Sequence, residues 1–288
     1  MQIFKTIFVT GATGNLGGAA TRNLLSNGYQ VKALVRNPAK LAAHENLRVI
    51  KGDLNDPNTY KDHLKDAEAI FCNLHFNEGV DKEVRQGIDI IDSARANHIK
   101  FFIYSSVIGS DLHTGIPHWE SKFIIENHLK ASGIDFTILR PASLYENLLL
   151  PQVKSRILKG KLVLPTLRGK IQQFISAEHV GKIATTIFSD PGNYRNSTIN
   201  LATEQMDGEE LALLFSKVMK RKIKYQQLPM LIARLVMGRN LAKMFHWINH
   251  HDVLFVKDME SFNKQFPAML SFEEWIKNHF DKTGSSKQ

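Results

Sequence analysis

At 288 residues, 43% of them hydrophobic, the chain can bury a sizeable core in one large domain or in a main domain with a smaller companion. Its single cysteine, Cys72, excludes an intramolecular disulfide and fits a reducing compartment, and no run approaches the roughly 18 apolar residues that span a bilayer. The net charge of +9 is scattered, with Lys220-Arg221-Lys222-Ile223-Lys224 as its densest patch and no zinc-finger spacing or basic-aromatic repeat, which argues against direct nucleic-acid binding.

The first predicted element is the strand Thr6-Ile7-Phe8-Val9. Because these apolar residues already belong to the fold, no secretory signal is expected, and the reading is a soluble, cytoplasmic protein. The strand runs into Gly11-Ala12-Thr13-Gly14-Asn15-Leu16-Gly17, three glycines at GxxGxxG spacing, and residues 19–26 then read as a helix. A buried strand that turns sharply into a helix presents bare amides, and a pyrophosphate fits there if no side chain obstructs it. Gly11 serves the turn, Gly14 the approach of the phosphates and Gly17 the packing of helix on strand. The spacing alone is weak; its position between a strand and a helix makes it a dinucleotide site.

The second strand, Gln30-Val31-Lys32-Ala33-Leu34-Val35, ends at Arg36. A free ribose 2′-hydroxyl usually meets Asp or Glu at this point, and a 2′-phosphate meets Arg. No carboxylate occupies residues 30–43, and Lys40 follows Arg36 by one helical turn, so the cofactor is read as NADP(H). Arg48-Val49-Ile50-Lys51 is a third strand, followed by Gly52-Asp53-Leu54-Asn55-Asp56. Asp53 is a candidate acceptor for the adenine amino group and Leu54 a cover for the ring, while Asp56 before Pro57 caps the next helical turn.

Residues 67–74 make a fourth strand ending at Asn73 and Leu74, where the nicotinamide ribose is expected. The stretch 80–96 reads as a helix with Val84, Ile88 and Ile91 on one face. Cys72 lies in an apolar run and reads as a buried structural thiol. The fifth strand, Phe101-Phe102-Ile103-Tyr104, carries Ser105 and Ser106 at its carboxyl end, as site candidates or as local backbone partners. A helix over 117–132 places His118 and Lys122 one turn apart and turns Ile124, Ile125 and Leu129 toward the core. The sixth strand, 134–139, ends at Arg140-Pro141. Alternation of strand and helix through six strands predicts a doubly wound parallel sheet.

Together GATGNLGG, Arg36, GDLND, Tyr-Ser-Ser-Val, His-Trp-Glu-Ser-Lys, Ile-Leu-Arg-Pro and Tyr145-Glu146-Asn147 resemble the NmrA-like branch of atypical short-chain dehydrogenases/reductases, over about residues 1–190. The resemblance implies NADP(H) held by Gly11, Ala12, Thr13, Gly14, Asn15 and Leu16, by Arg36 and Lys40, by Asp53 and Leu54, by Asn73 and Leu74, by Lys122, and by Tyr145, Glu146 and Asn147. The Tyr-x-x-x-Lys of the wider superfamily falls on His118-x-x-x-Lys122, so the lysine is kept and the usual proton donor is replaced by histidine. The family's acidic residue near the start of a later helix falls on His179.

Past Asn147 the alternation stops. Residues 148–159 read as a helix, 161–164 as a strand, 174–176 as extended and 178–189 as a helix, and 197–201 as a strand that rejoins the main sheet. An amphipathic helix over 207–220 turns Leu211, Leu214, Phe215 and Val218 inward, 223–228 is extended, and 231–237 is apolar and helical. Ser271 and Glu274 have capping-box spacing and open a last helix through Phe280. His246, His250 and His251 lack a third suitable ligand pattern for a metal. Met230, Met237, Met244 and Met259, with Phe245, Trp247, Phe255 and Phe262, suit a substrate cleft or a subunit interface, which leaves room for a homodimer.

The expected organisation is an α/β Rossmann-type domain over 1–150 with a returning segment 171–203, a smaller α/β substrate or partner domain over 151–170 and 204–283, and a frayed tail, 284–288. Two functions follow. One is an NADPH-dependent reductase of a small conjugated or aromatic acceptor, quinone or enone, with Lys122 and His118 as its catalytic pair. The other is a non-catalytic NADP(H) sensor that signals to a regulatory protein partner.

Overall fold

The computed structural model describes residues 3–267 and 269–280; the tail expected over 284–288 lies outside them. The chain begins β1 (Thr6–Val9), α1 (Asn15–Ser26), β2 (Gln30–Val35), β3 (Leu47–Lys51), β4 (Ala69–Asn73), α2 (Val80–Ala96), β5 (Phe101–Ser105), α3 (Pro117–Ala131) and β6 (Asp135–Pro141). It leaves this pattern through β7 (Ser143–Leu144), α4 (Pro151–Leu158), β8 (Lys161–Leu164) and β9 (Gln172–Ile175), then comes back as α5 (Ala177–Ser189) and β10 (Ser197–Leu201). The remainder is β11 (Glu204–Met206), α6 (Gly208–Val218), β12 (Lys224–Gln227), α7 (Met230–His250), α8 (Met259–Gln265) and α9 (Phe272–Phe280).

Two compact units result. One runs to Pro141 and resumes over Ala177–Leu201; the other takes Ala142–Ser176 and continues from Ala202. The first holds a seven-stranded sheet in the order β10-β6-β5-β4-β1-β2-β3, with every neighbouring pair parallel. This is the α/β doubly wound architecture. Its strands are nearly continuous runs of Ile, Phe, Val and Ala because helices cover both faces. Helices α1 and α5 meet so closely that a Cβ on Gly181 would stand 2.6 Å from the backbone of Ala19. Residues 172–175 fall outside the returning segment, since β9 pairs with β7 and β11 of the second unit.

Two helix faces differ from the sequence reading. On α2 the buried positions are Glu83, Gln86, Gly87, Ile90, Ile91 and Ala94, with Val84 and Ile88 only half-buried. At Gly87 helix α3 packs so closely that a Cβ there would lie 2.6 Å from Ile125, so the face that carries Gly87, and not that of Val84 and Ile88, meets α3. On α3, Ile125 and Leu129 are buried but Ile124 is 50% exposed.

The second unit has a three-stranded sheet, β11-β9-β7, and a parallel pair, β12-β8, around a core that includes Tyr145, Phe174, Phe215, Phe272 and Trp275. Helix α6 starts on a capping box in which Asp207 accepts from the amides of Glu209 and Glu210 and the Glu210 carboxylate accepts from Asp207 N. Ser271 and Glu274 cap α9 in the same way. Helix α7 bends at Gly238, whose φ of 83° is non-helical. No described helix is long and apolar enough to cross a membrane.

Candidate functional site

Strand order reverses between β1 and β4, the topological switch point where ligands of such sheets bind. The glycine turn sits there. Gly11 has φ +68°, and a Cβ on it would press 3.0 Å from Nδ2 of Asn73 at the end of β4. The Thr10 hydroxyl donates to the Asn73 carbonyl and accepts from the Asn73 amide, both at 3.0 Å, which ties the turn to β4. A Cβ on Gly17 would fall 2.3 Å from the Gly11 carbonyl oxygen, so only glycine fits. Gly14 precedes α1 with extended backbone (φ −97°), no side chain caps the helix and no acidic residue lies in its first turn. The positive end of the helix is therefore left uncompensated by the chain's own side chains. Ala12 is buried, Thr13 and Asn15 are exposed, and Leu16 is half-buried.

Arg36 follows β2 on the same edge, and its guanidinium is already paired. Nη1 lies 2.7 Å from Oε1 of Glu78, in the 3₁₀ turn Phe76–Glu78 after β4. The second Glu78 oxygen accepts from Asn55 Nδ2 at 3.2 Å. The Asn55 hydrogen bond, and after it that of Arg36, hold the Glu78 carboxyl below the usual carboxylate range. Sequence reasoning missed Glu78, which stands 42 positions from Arg36. Lys40 closes the turn Pro38–Lys40, capped by Asn37. The Asp53 carboxylate accepts from the amide and the side chain of Asn55, so it already organises its own loop. Leu54 packs half-buried on the core, and Asp56 caps the turn Pro57–Thr59.

Beyond Asn73, the carbonyl of Leu74 accepts from the Lys122 ammonium at 3.0 Å. The same ammonium lies 2.9 Å from Oε1 of Glu83 and over the Tyr104 ring, 5.4 Å from its centroid. The other Glu83 oxygen accepts from the Ser121 hydroxyl at 2.6 Å. Glu83 was not foreseen, because a carboxylate on an amphipathic helix reads as solvent-facing. Burial pushes the Tyr104 hydroxyl well above its ordinary pKa. His118 is 5% exposed, its ring stacked 4.7 Å from Phe76, which stacks in turn on His75. Burial lowers the pKa of His75.

The two serines at the end of β5 part company. Ser106 donates to Glu126 at 2.5 Å, in a buried network where Ser110 and Arg140 bind the same carboxylate and Arg140 also reaches Asp111. Its local structural role explains its position. The buried Ser105 hydroxyl has no hydrogen-bond partner among the described residues.

Tyr145, Glu146 and Asn147 belong to the second unit, in the 3₁₀ turn Tyr145–Leu149. Tyr145 is a core residue there, stacked 3.8 Å from Phe272 and bonded to Thr203. His250 and His251 bond through Nδ1 to the carbonyls of His246 and Trp247. Among the described residues no group of three or more His, Cys, Asp or Glu side chains could hold a metal ion.

The parallel order with its glycine turn at the switch point defines a Rossmann-type nucleotide-binding fold. The chain belongs to the NmrA-like family, whose sequence profile matches residues 4–276. It is 24% identical to a photosystem II assembly factor of Trieres chinensis over 84% of this chain and 77% of that protein. It is 28% identical to the nitrogen metabolite repression protein of Emericella nidulans over 78% of this chain and 68% of that one. Its fold also matches the NADPH-dependent quinone oxidoreductase of Escherichia coli solved with NADPH, at a TM-score of 0.81 and 22% identity, covering 96% of this chain and 100% of that one.

Proposed function

We propose that the chain binds NADP(H) along the carboxyl edge of β2, β1 and β4 and uses it to reduce a small conjugated or aromatic acceptor of quinone or enone type. The observation that carries the reading is the glycine turn, which leaves no space for a Cβ at Gly17 and opens α1 at Gly14 with no side-chain cap. Such a start suits a pyrophosphate, bound by the amides around Ala12, Thr13, Asn15 and Leu16. Arg36 takes the 2′-phosphate through its planar fork and Lys40 adds charge, while Asp53 and Leu54 flank the adenine. Asn73 and Leu74 border the nicotinamide ribose.

Lys122 is the donor to the ribose hydroxyls. An ammonium has three N–H groups; Lys122 donates to the Leu74 carbonyl and is ion-paired with Glu83, and the ribose hydroxyls would take a remaining N–H. When bound, NADPH supplies a hydride. The protein's part is to orient the ring, exclude water and bring a proton, and His118 or a water beside it is the source. Acceptors that spread the resulting negative charge need that proton least, which favours quinones and enones. The quinone oxidoreductase on the same fold supports this acceptor class. The lone, buried Cys72 fits a cytoplasmic setting.

A second reading, an NADP(H) sensor without turnover, is favoured by the shielding of His118 under Phe76. A sensor also needs a surface for its partner, and α7 exposes Leu231 by 75% and Leu235 by 81%. The similarity to a nitrogen metabolite repression protein supports it. A screen of NADPH oxidation across quinones, enones and dyes, run beside cofactor titration, separates the two. Turnover at enzymatic rates with any acceptor establishes the reductase; tight NADPH binding with no turnover favours the sensor.

A further inference from the structure

Residues 36–43, directly after β2, carry no carboxylate, yet the fold delivers one to the arginine at the end of the strand. Glu78 reaches Arg36 from the turn between β4 and α2, with Oε1 2.7 Å from Nη1. Its other oxygen is held by Asn55 Nδ2 at 3.2 Å, with Lys82 Nζ 3.9 Å away. The carboxylate is therefore oriented at both oxygens. Gly79 follows it with φ +110°, a conformation that side chains rarely adopt.

A ribose lodged beside this pair meets two opposite chemistries. A free 2′-hydroxyl is a donor, and a carboxylate is its natural acceptor. A 2′-phosphate carries only acceptors and close to two negative charges, so it needs the guanidinium and is repelled by the carboxylate. While Nη1 is bonded to Glu78, the guanidinium has fewer donors free for a phosphate, and the carboxylate beside it offsets part of its charge.

We propose that Glu78 is a second determinant of cofactor choice at this site: it competes with a 2′-phosphate for Arg36 and accepts a hydrogen bond from a free 2′-hydroxyl. NADP(H) then binds by opening the Arg36–Glu78 pair, and NAD(H) binds with the pair closed. Glu78 thus narrows the margin by which Arg36 favours the phosphorylated cofactor. The inference rests on the reading that the glycine turn and Arg36 hold the dinucleotide.

The test is Glu78→Gln, isosteric and still able to bond Asn55, with NADPH and NADH each titrated calorimetrically against the wild type and the variant. An exposed ion pair is worth little in water, so removing this competitor should tighten NADPH by about two- to fivefold. Loss of the charged acceptor should weaken NADH by about two- to fivefold. The opposite signs are the signature, because a mere loss of negative charge would tighten both anionic cofactors. Unchanged NADPH affinity, or a parallel shift of both, overturns the role of Glu78 and leaves the dinucleotide site standing. A wild type that binds neither cofactor overturns the site and this role with it.

Discussion

The Lys122 ammonium lies 2.9 Å from a carboxylate oxygen of Glu83, and both side chains are buried. One comes from α3 and the other from α2, so the pair links these two helices. A lysine in this position is often read only for its ligand. Here it also neutralises a charge that the core would otherwise carry alone.

Lys122→Met should therefore do two things. Removing one partner of a buried pair costs about 3–5 kcal/mol, because the other charge is left unpaired. Urea unfolding should register that loss, and most of it should return in the double variant Lys122→Met with Glu83→Gln. Weak NADPH binding should persist in the double variant, since a donor to the ribose is still missing. Recovery of both stability and affinity would make Lys122 structural only.

Gly14 and Gly17 separate the two duties of the turn. Gly14 has ordinary extended dihedrals, and a Cβ there would meet only the Gly11 carbonyl, at 3.4 Å. Gly14→Val should fold with a normal circular dichroism spectrum and lose both cofactors. Gly17→Ala forces an atom within 2.3 Å of the Gly11 carbonyl oxygen, and should lower stability by more than about 2 kcal/mol.

His118 bears on turnover. If the chain reduces an acceptor with a proton from this ring, His118→Ala should slow the reaction by about 10²–10⁴-fold while NADPH affinity stays within a few fold. An unchanged rate would assign the proton to water or to another group.

Cys72 provides a check on the core. Burial pushes its thiol up to about 12, despite the hydrogen bond with Thr10. The thiolate fraction at pH 8 is then negligible, and a disulfide reagent should leave the native protein unlabelled while titrating one thiol after denaturation. Rapid labelling of the native protein would mean that β4 is not packed as described.

What could be read from the sequence was what short-range pattern encodes. The turn 11–17 was legible because strand, glycines and helix are contiguous, and Arg36 because it directly follows β2. The capping box at Ser271 was legible on the same grounds, although the equivalent box at Asp207 was passed over. Contacts across the sheet were not. Glu78 reaches Arg36 over 42 positions, and no local signal joins them. Glu83 hides because helical periodicity assigns every carboxylate outward, and its burial depends on a lysine 39 positions further on. Ile124 was misplaced because the pattern finds an apolar stripe but not which part of it is covered, and it is Ile125 that packs on Gly87.

Titration of the intact protein with NADPH and with NADH, repeated on Arg36→Ala, tests the central claim most directly. The account predicts NADPH at least about tenfold tighter than NADH, roughly 1.4 kcal/mol, with Arg36→Ala erasing most of the difference by weakening NADPH alone. Equal affinity of the wild type for the two cofactors, or binding of neither, would contradict it.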